Sequence, residues 1–246
     1  MKKIKPPRVG QCVYCGLIKE LSDDHIPPKN LFAKPRPGNL IVVPSCRSCN
    51  GGASDDDEYF RLMLTLREDT HAHPDVQQLL PVVFRSLTKS NKIGFSRALV
   101  QGIRETNVLT RSGLFIGKRP VYDVDLDRLD RVAQRIVKGL FYHEQLSRLP
   151  DGYEVSAFSA SGLSALDKDL KDHIIKNIVD PILQNTPRTI GNNVFTHRVA
   201  FAPEDPNLSV WHLIFYEKVA FLCFRGCINK IIRLLTLTHF SAYHHC

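Results

Sequence analysis

Residues 12–50 read CVYCGLIKELSDDHIPPKNLFAKPRPGNLIVVPSCRSCN, and a C-x2-C pair stands at each end, Cys12/Cys15 and Cys46/Cys49. Each two-residue spacer turns both sulfurs of a pair toward one point, so two pairs can close a tetrahedral thiolate shell on a metal ion. A shell of four protein ligands leaves no open coordination position for chemistry. The expected role of Cys12, Cys15, Cys46 and Cys49 is therefore to hold a structural Zn2+, a staple for a module with too little core of its own. The competing rubredoxin-type iron site wants Cys-Pro-x-Cys-Gly at the second knuckle, where this chain has Cys46-Arg47-Ser48-Cys49-Asn50. Any reactive group is to be sought between the knuckles.

Between them, Leu21–Ile26 reads as a short strand, Pro27-Pro28 forces a stiff, extended exit, and Pro35-Arg36-Pro37-Gly38 has the turn chemistry of a surface loop. Leu40-Ile41-Val42-Val43 reads as a second strand. Ser54 with Asp57 has capping-box spacing, and Tyr59, Leu62, Met63 and Leu66 recur at helical spacing, so a helix is expected over about Asp55–Arg67. The acidic run Asp55–Glu58 suits the N-terminus of that helix. Within the first strand an acidic residue stands directly before a histidine, Asp24-His25. Strand neighbours point to opposite faces, so one of the two can bind a metal while the other meets water. Asn50 offers an amide oxygen, a hard ligand that beside Asp24 suits Mg2+ or Mn2+.

In this order, C-x2-C-G at 12–16, D-H-I-P-P-K at 24–29, N-L at 39–40 and C-x2-C-N at 46–50 resemble the HNH endonuclease family in its zinc-knuckle form. The resemblance covers roughly the first quarter of the chain and implies a small zinc-stapled ββα-metal module. It implies that His25 is the general base, that Asn39 braces the loop carrying it, and that Asn50 fills the last motif position, where the family name has His. It also implies metal-dependent hydrolysis of DNA phosphodiesters, with one Mg2+ or Mn2+ held by Asp24 and Asn50. Lys29, Lys34, Arg36 and Arg47 lie close to the motif and are expected to meet phosphates. Restriction, phage defence and mobile-element biology are the settings such an activity fits. The alternative is a non-catalytic zinc ribbon that binds nucleic acid or protein.

The chain has 246 residues, 43% of them hydrophobic, with a formal net charge of +8. That is enough for a sizeable core, and the charge points to an acidic partner, here nucleic acid and by the resemblance double-stranded DNA. Seven cysteines in this length do not make a dense disulfide framework. The basic start lacks the apolar stretch of a signal peptide and no segment is apolar enough to span a bilayer, so a cytoplasmic protein without membrane association is expected.

The polar, Pro-containing loop 68–75 is the expected boundary between the module, residues 1–70, and an α+β accessory region, 71–246, serving target recognition, a protein partner or a homodimer. Helices are expected at Val76–Leu87, Lys92–Glu105, Leu126–Leu146 and Leu163–Val179, the last stopping before Pro181. Strands are expected at Tyr153–Phe158, Val194–Phe201, Val210–Tyr216 and Val219–Phe224, with a tight turn at Glu217-Lys218. Strands following helices give an α+β class. His71 and His73 read as incidental loop residues, Cys223 and Cys227 as small hydrophobes, and His244-His245-Cys246 as a tail.

Overall fold

A computed structural model describes residues 8–90, 93–110, 112–159, 162, 166–202 and 205–226. Cys227 and the tail residues His244, His245 and Cys246 lie outside them. The fold is α+β with antiparallel sheets throughout.

The N-terminal sheet has the order β1 (Val9–Gln11), β2 (Ile18–Ile26), β3 (Ile41–Cys46). Its register sets Leu21 opposite Cys46, Asp24 opposite Val43 and His25 opposite Val42. Along β2 the alternation is plain: Asp24 and Ile26 are buried, Asp23 is exposed and His25 half-buried. The chain turns from Cys46 into a short helix, α1 (Arg47–Gly52), and then into α2 (Ser54–Thr65). The capping box is not formed. Ala53 precedes α2 without a side-chain cap, and Asp57 pairs instead with Arg135, while Asp56 takes Arg128 and Arg131. The guanidinium groups outcompete the backbone amides for these carboxylates because a charged partner makes the stronger hydrogen bond.

After α2 come α3 (Pro74–Leu87), α4 (Ile93–Gln101), a hairpin of β4 (Arg104–Leu109) and β5 (Phe115–Val121), and the long α5 (Leu126–Gln145). Then follow β6 (Glu154–Ser159), α6 (Lys168–Ile174), α7 (Asp180–Leu183), β7 (Arg188–Ile190), β8 (Phe195–Ala202), β9 (Asp205–Phe215) and β10 (Val219–Gly226). Strands β6 to β10 form one sheet in the order β6-β10-β9-β8-β7.

Several boundaries differ from the sequence reading, each for a local reason. Glu105 is in β4, because α4 closes at Gln101 and Gly102 follows. The β4–β5 hairpin went unread because Leu109, Leu114, Phe115 and Ile116 are exposed, so no one-sided alternation marks it. Helical structure continues through Pro181 rather than stopping before it. A π-helical turn at Ile175–Val179 shifts the hydrogen-bond register and leaves Pro181 in the first turn of α7, where its missing N–H costs little. The β9–β10 turn falls one residue earlier, on Tyr216 and Glu217, both with left-handed φ, and Lys218 N–H closes it on Phe215 O at 3.0 Å. His73 is buried and works: its Nδ1 accepts from Asp75 N–H at the start of α3, and its Nε2 donates to Asn192 O at 2.9 Å.

The apolar stripe of α5, Leu129, Val132, Ala133, Ile136, Val137, Leu140 and Phe141, is buried as its periodicity predicts. The core it enters draws on both sides of residue 70: Val13, Ile26, Phe32 and Val43 belong to the same cluster as Ile136, Trp211 and Phe215. Phe60 of α2 meets Phe215 edge-on at 5.1 Å, and Tyr216 Oη donates to Leu31 O at 2.7 Å. Among the described residues no helix is long and apolar enough to cross a membrane.

Gly139 is where α5 passes closest to β2, and a Cβ built there would lie 2.5 Å from Ile26 Cγ1. Gly139→Ala should add about 1 kcal/mol of helix propensity, yet overpacking against a buried residue costs about 1–3 kcal/mol. The expected net result is a lower urea midpoint; a raised midpoint would show that Ile26 repacks freely.

Candidate metal centre and its surroundings

The Sγ atoms of Cys12, Cys15, Cys46 and Cys49 all lie within 4.8 Å of one another. Zinc bound to four thiolates at about 2.3 Å has sulfur–sulfur edges near 3.8 Å, and Cys15 Sγ and Cys46 Sγ are 3.9 Å apart. The donor set and its spacing fit a structural metal such as zinc. The register of β2 and β3 and the turn at Gly16, φ +72°, bring the knuckles together. Gly16 also lacks the Cβ that would meet the Arg148 guanidinium at 2.7 Å.

The polar surroundings favour thiolates. The Ser48 hydroxyl and the Cys49 amide pull the Cys46 thiol down to about 6. At Cys12 burial opposes ionisation, but hydrogen bonds from the backbone of Cys15, Cys46 and Tyr14 outweigh it and the thiol is lowered. Burial and the neighbouring Cys46 raise Cys49, so without a metal the pairs share protons unevenly. A cation neutralising four sulfurs removes that conflict.

Asp24 is 5% exposed and faces inward from β2. Its Oδ2 accepts from Tyr14 Oη at 2.7 Å and lies 4.0 Å from Arg135 Nη1. Arg135 in turn forms a close ion pair with Asp57. Burial lifts the Asp57 carboxyl above its ordinary range, with Arg135 pulling the other way. Asn50, on α1, donates through Nδ2 to Ser22 Oγ at 3.0 Å and to Asp23 O at 3.1 Å. Ser22 and Asp24 share a face of β2, so Asn50 reaches the same side of the strand that carries Asp24. Gly51 and Gly52 remain within α1.

His25 points to the other face of β2. Burial lowers its pKa below 6.5, with Lys29 and Arg36 adding to the shift and Asp24 and Asp23 opposing it. Arg36 Nε donates to Lys29 O at 3.0 Å, which folds the Pro-rich loop back beside the histidine. Lys29 and Lys34 are exposed. Arg47 sits toward the opposite end of β2, paired with Glu20 at 2.7 Å. Asn39 does not stay within the hairpin: its Nδ2 donates to Thr189 O at 3.3 Å and its Oδ1 accepts from Gly191 N–H at 3.5 Å, tying the entry to β3 to the end of β7.

Tyr14 and Arg135 escaped the sequence reading, and Asp57, read there as a helix cap, is the partner of Arg135. Arg135 carried a signal, since it is a charged residue set among Val132, Ala133, Ile136 and Val137, and a charge on a buried helix face needs a partner. No family model matches the chain, and neither the curated proteins nor the solved structures contain a match to it.

Replacing Cys46 by Ser should reduce bound metal from one equivalent to well below it and lower the melting temperature, because three thiolates no longer close the shell. Metal released on thiol titration, read with a chromogenic chelator, checks this; full zinc retention would mean that the cysteine cluster is not the site.

Proposed function

We propose that the chain is an HNH-like, metal-dependent endonuclease acting on DNA, with a structural Zn2+ on the four cysteines and the reacting groups on the hairpin between them. The reading rests on one observation above the motif order itself: Asn50 donates to the Asp23 carbonyl, 27 positions away, directly beside Asp24-His25. The last motif position, on α1, is thereby held against the first, on β2.

The oxygens left over suit a hard cation. Both amide hydrogens of Asn50 are directed into β2, and Asp24 is held through Oδ2, which leaves Asn50 Oδ1 and Asp24 Oδ1 as the hard donors. A bound Mg2+ or Mn2+ would supply charge stabilisation to the phosphorane-like transition state and the departing 3′ oxygen. His25, neutral because of burial and the two nearby cations, takes the proton from the attacking water. The new P–O bond forms as the P–O3′ bond breaks, and the departing 3′ oxygen takes a proton from solvent water, leaving 5′-phosphate and 3′-hydroxyl ends. Lys29 and Arg36 flank His25 and are the first candidates to meet phosphate oxygens, with Lys34 and Arg47 as outer contacts. Asn39 positions the loop rather than touching substrate.

The second reading is a zinc ribbon that binds nucleic acid without cutting it. The inward, nearly enclosed setting of Asp24 favours that reading, because a carboxylate so placed can serve as a polar anchor alone.

His25→Ala should lower plasmid nicking by about 10²–10⁴-fold with Mg2+ or Mn2+, while zinc content and the circular dichroism spectrum stay unchanged. EDTA is the control. A fully active variant removes His25 from the mechanism, and a wild-type protein that retards DNA yet never nicks it supports the zinc ribbon.

The pH profile supplies a second check. The base must be neutral, so cleavage falls as pH drops through the His25 pKa, and the shift places that acid limb below 6.5. Lys29→Ala removes one of the two cations that lower this pKa and should move the limb upward; an unmoved limb would assign it to another group.

A further inference from the structure

As a cation ligand, Asp24 would have a cationic neighbour. A guanidinium lies beside it, and a positive charge at that distance would normally repel a divalent ion. Arg135 is 9% exposed, its Nη1 lies 4.0 Å from Asp24 Oδ2, and its Nη1 and Nε are buried without a hydrogen-bond partner among the described residues. Its third nitrogen, Nη2, is taken by Asp57 in the close pair. The group is thus anchored on one carboxylate and aimed, unbonded, at another.

Charge arithmetic gives this geometry a consequence. Asp57 cancels the charge of Arg135, so the guanidinium is not drawn onto Asp24, whose Oδ1 has no hydrogen bond among the described residues. Without the Asp57 charge, the nearest carboxylate for Arg135 is Asp24, and the gap is only slightly wider than a hydrogen bond. Asp57 itself is fixed by its place in the first turn of α2, and its backbone carbonyl accepts from Asn30 Nδ2 at 3.0 Å, next to the loop that carries Lys29.

We propose that Asp57 and Arg135 are positioning residues for the Asp24 site: Asp57 holds the Arg135 guanidinium off Asp24, and Arg135 excludes a divalent cation whenever that hold is lost. The proposal rests on the metal-dependent reading above. It also gives α5 a part in the site, because α5 carries the cation that decides whether Asp24 is available.

The test is Mn2+ binding to the zinc-loaded full chain, read from the loss of the free Mn2+ electron paramagnetic resonance signal, a measurement independent of cleavage. Wild type should bind one Mn2+, and Asp24→Asn should abolish it. Asp57→Asn should weaken binding at least about tenfold, the scale expected of a group acting through a metal ligand. Adding Arg135→Met to Asp57→Asn should then restore binding to within about threefold of wild type, since the excluding charge is gone. A merely structural clamp predicts the opposite, because the double variant loses both of its ends. Unchanged binding in Asp57→Asn, or no recovery in the double variant, overturns the proposal and leaves the nuclease reading standing. A wild-type protein that binds no Mn2+ beyond its zinc overturns the metal-dependent reading, and this proposal with it.

Discussion

Closure of the four sulfurs is the constraint on which the N-terminal part of the structure depends. The outer end of the three-stranded sheet has little to bury: Val9, Leu17 and Ile18 are exposed there, while Val13, Ile26 and Val43 enter the core shared with α5. Structural zinc in comparable small sites contributes about 10–16 kcal/mol at neutral pH, as much as the whole stability of an ordinary domain. Bringing Cys12 and Cys15 to Cys46 and Cys49 selects the β2–β3 pairing that sets Leu21 opposite Cys46. A slip of one residue would turn Asp24 outward and His25 inward.

The opposite face of the hairpin is held by a different device. Three arginines on α5, Arg128, Arg131 and Arg135, grip Asp56 and Asp57 at the start of α2, and Arg128 also lies 4.2 Å over the Tyr59 ring. Ion pairs at a surface contribute little, but Arg135 and Asp57 are largely buried, and stranding either charge is costly. The cysteine end sets the register of the hairpin, and the arginine clamp joins α2 to α5 behind it. Phe60 on Phe215 and Tyr216 on Leu31 then join the hairpin to the five-stranded sheet, so residues on either side of position 70 share one core.

Local patterns were legible in the sequence, and long-range partners were not. The knuckle spacing, the β2 and β3 strands, and the α5 stripe each depend on residues close together in the chain, and each was read. The β4–β5 hairpin was missed because its apolar residues face solvent, and the run through Pro181 because a π-helical turn leaves no mark in apolar periodicity. The acidic run at 55–58 was assigned to the helix dipole, a local effect, whereas Asp57 is decided by Arg135, 78 positions away. Asn39 likewise bonds to Thr189, and His73 to Asn192. At the candidate site the motif residues were legible, but the environment of Asp24 came from Tyr14 and Arg135, neither of which belongs to a motif.

A closed scaffold of four cysteines would leave the chemistry to groups outside it. X-ray absorption at the zinc K-edge of the purified protein tests this directly. Four sulfur scatterers at about 2.3 Å, with no oxygen or nitrogen in the inner shell, are the predicted result. A mixed shell, with a light atom replacing one of the sulfurs, would contradict it, because the metal would then keep an open position and could itself be the reactive centre.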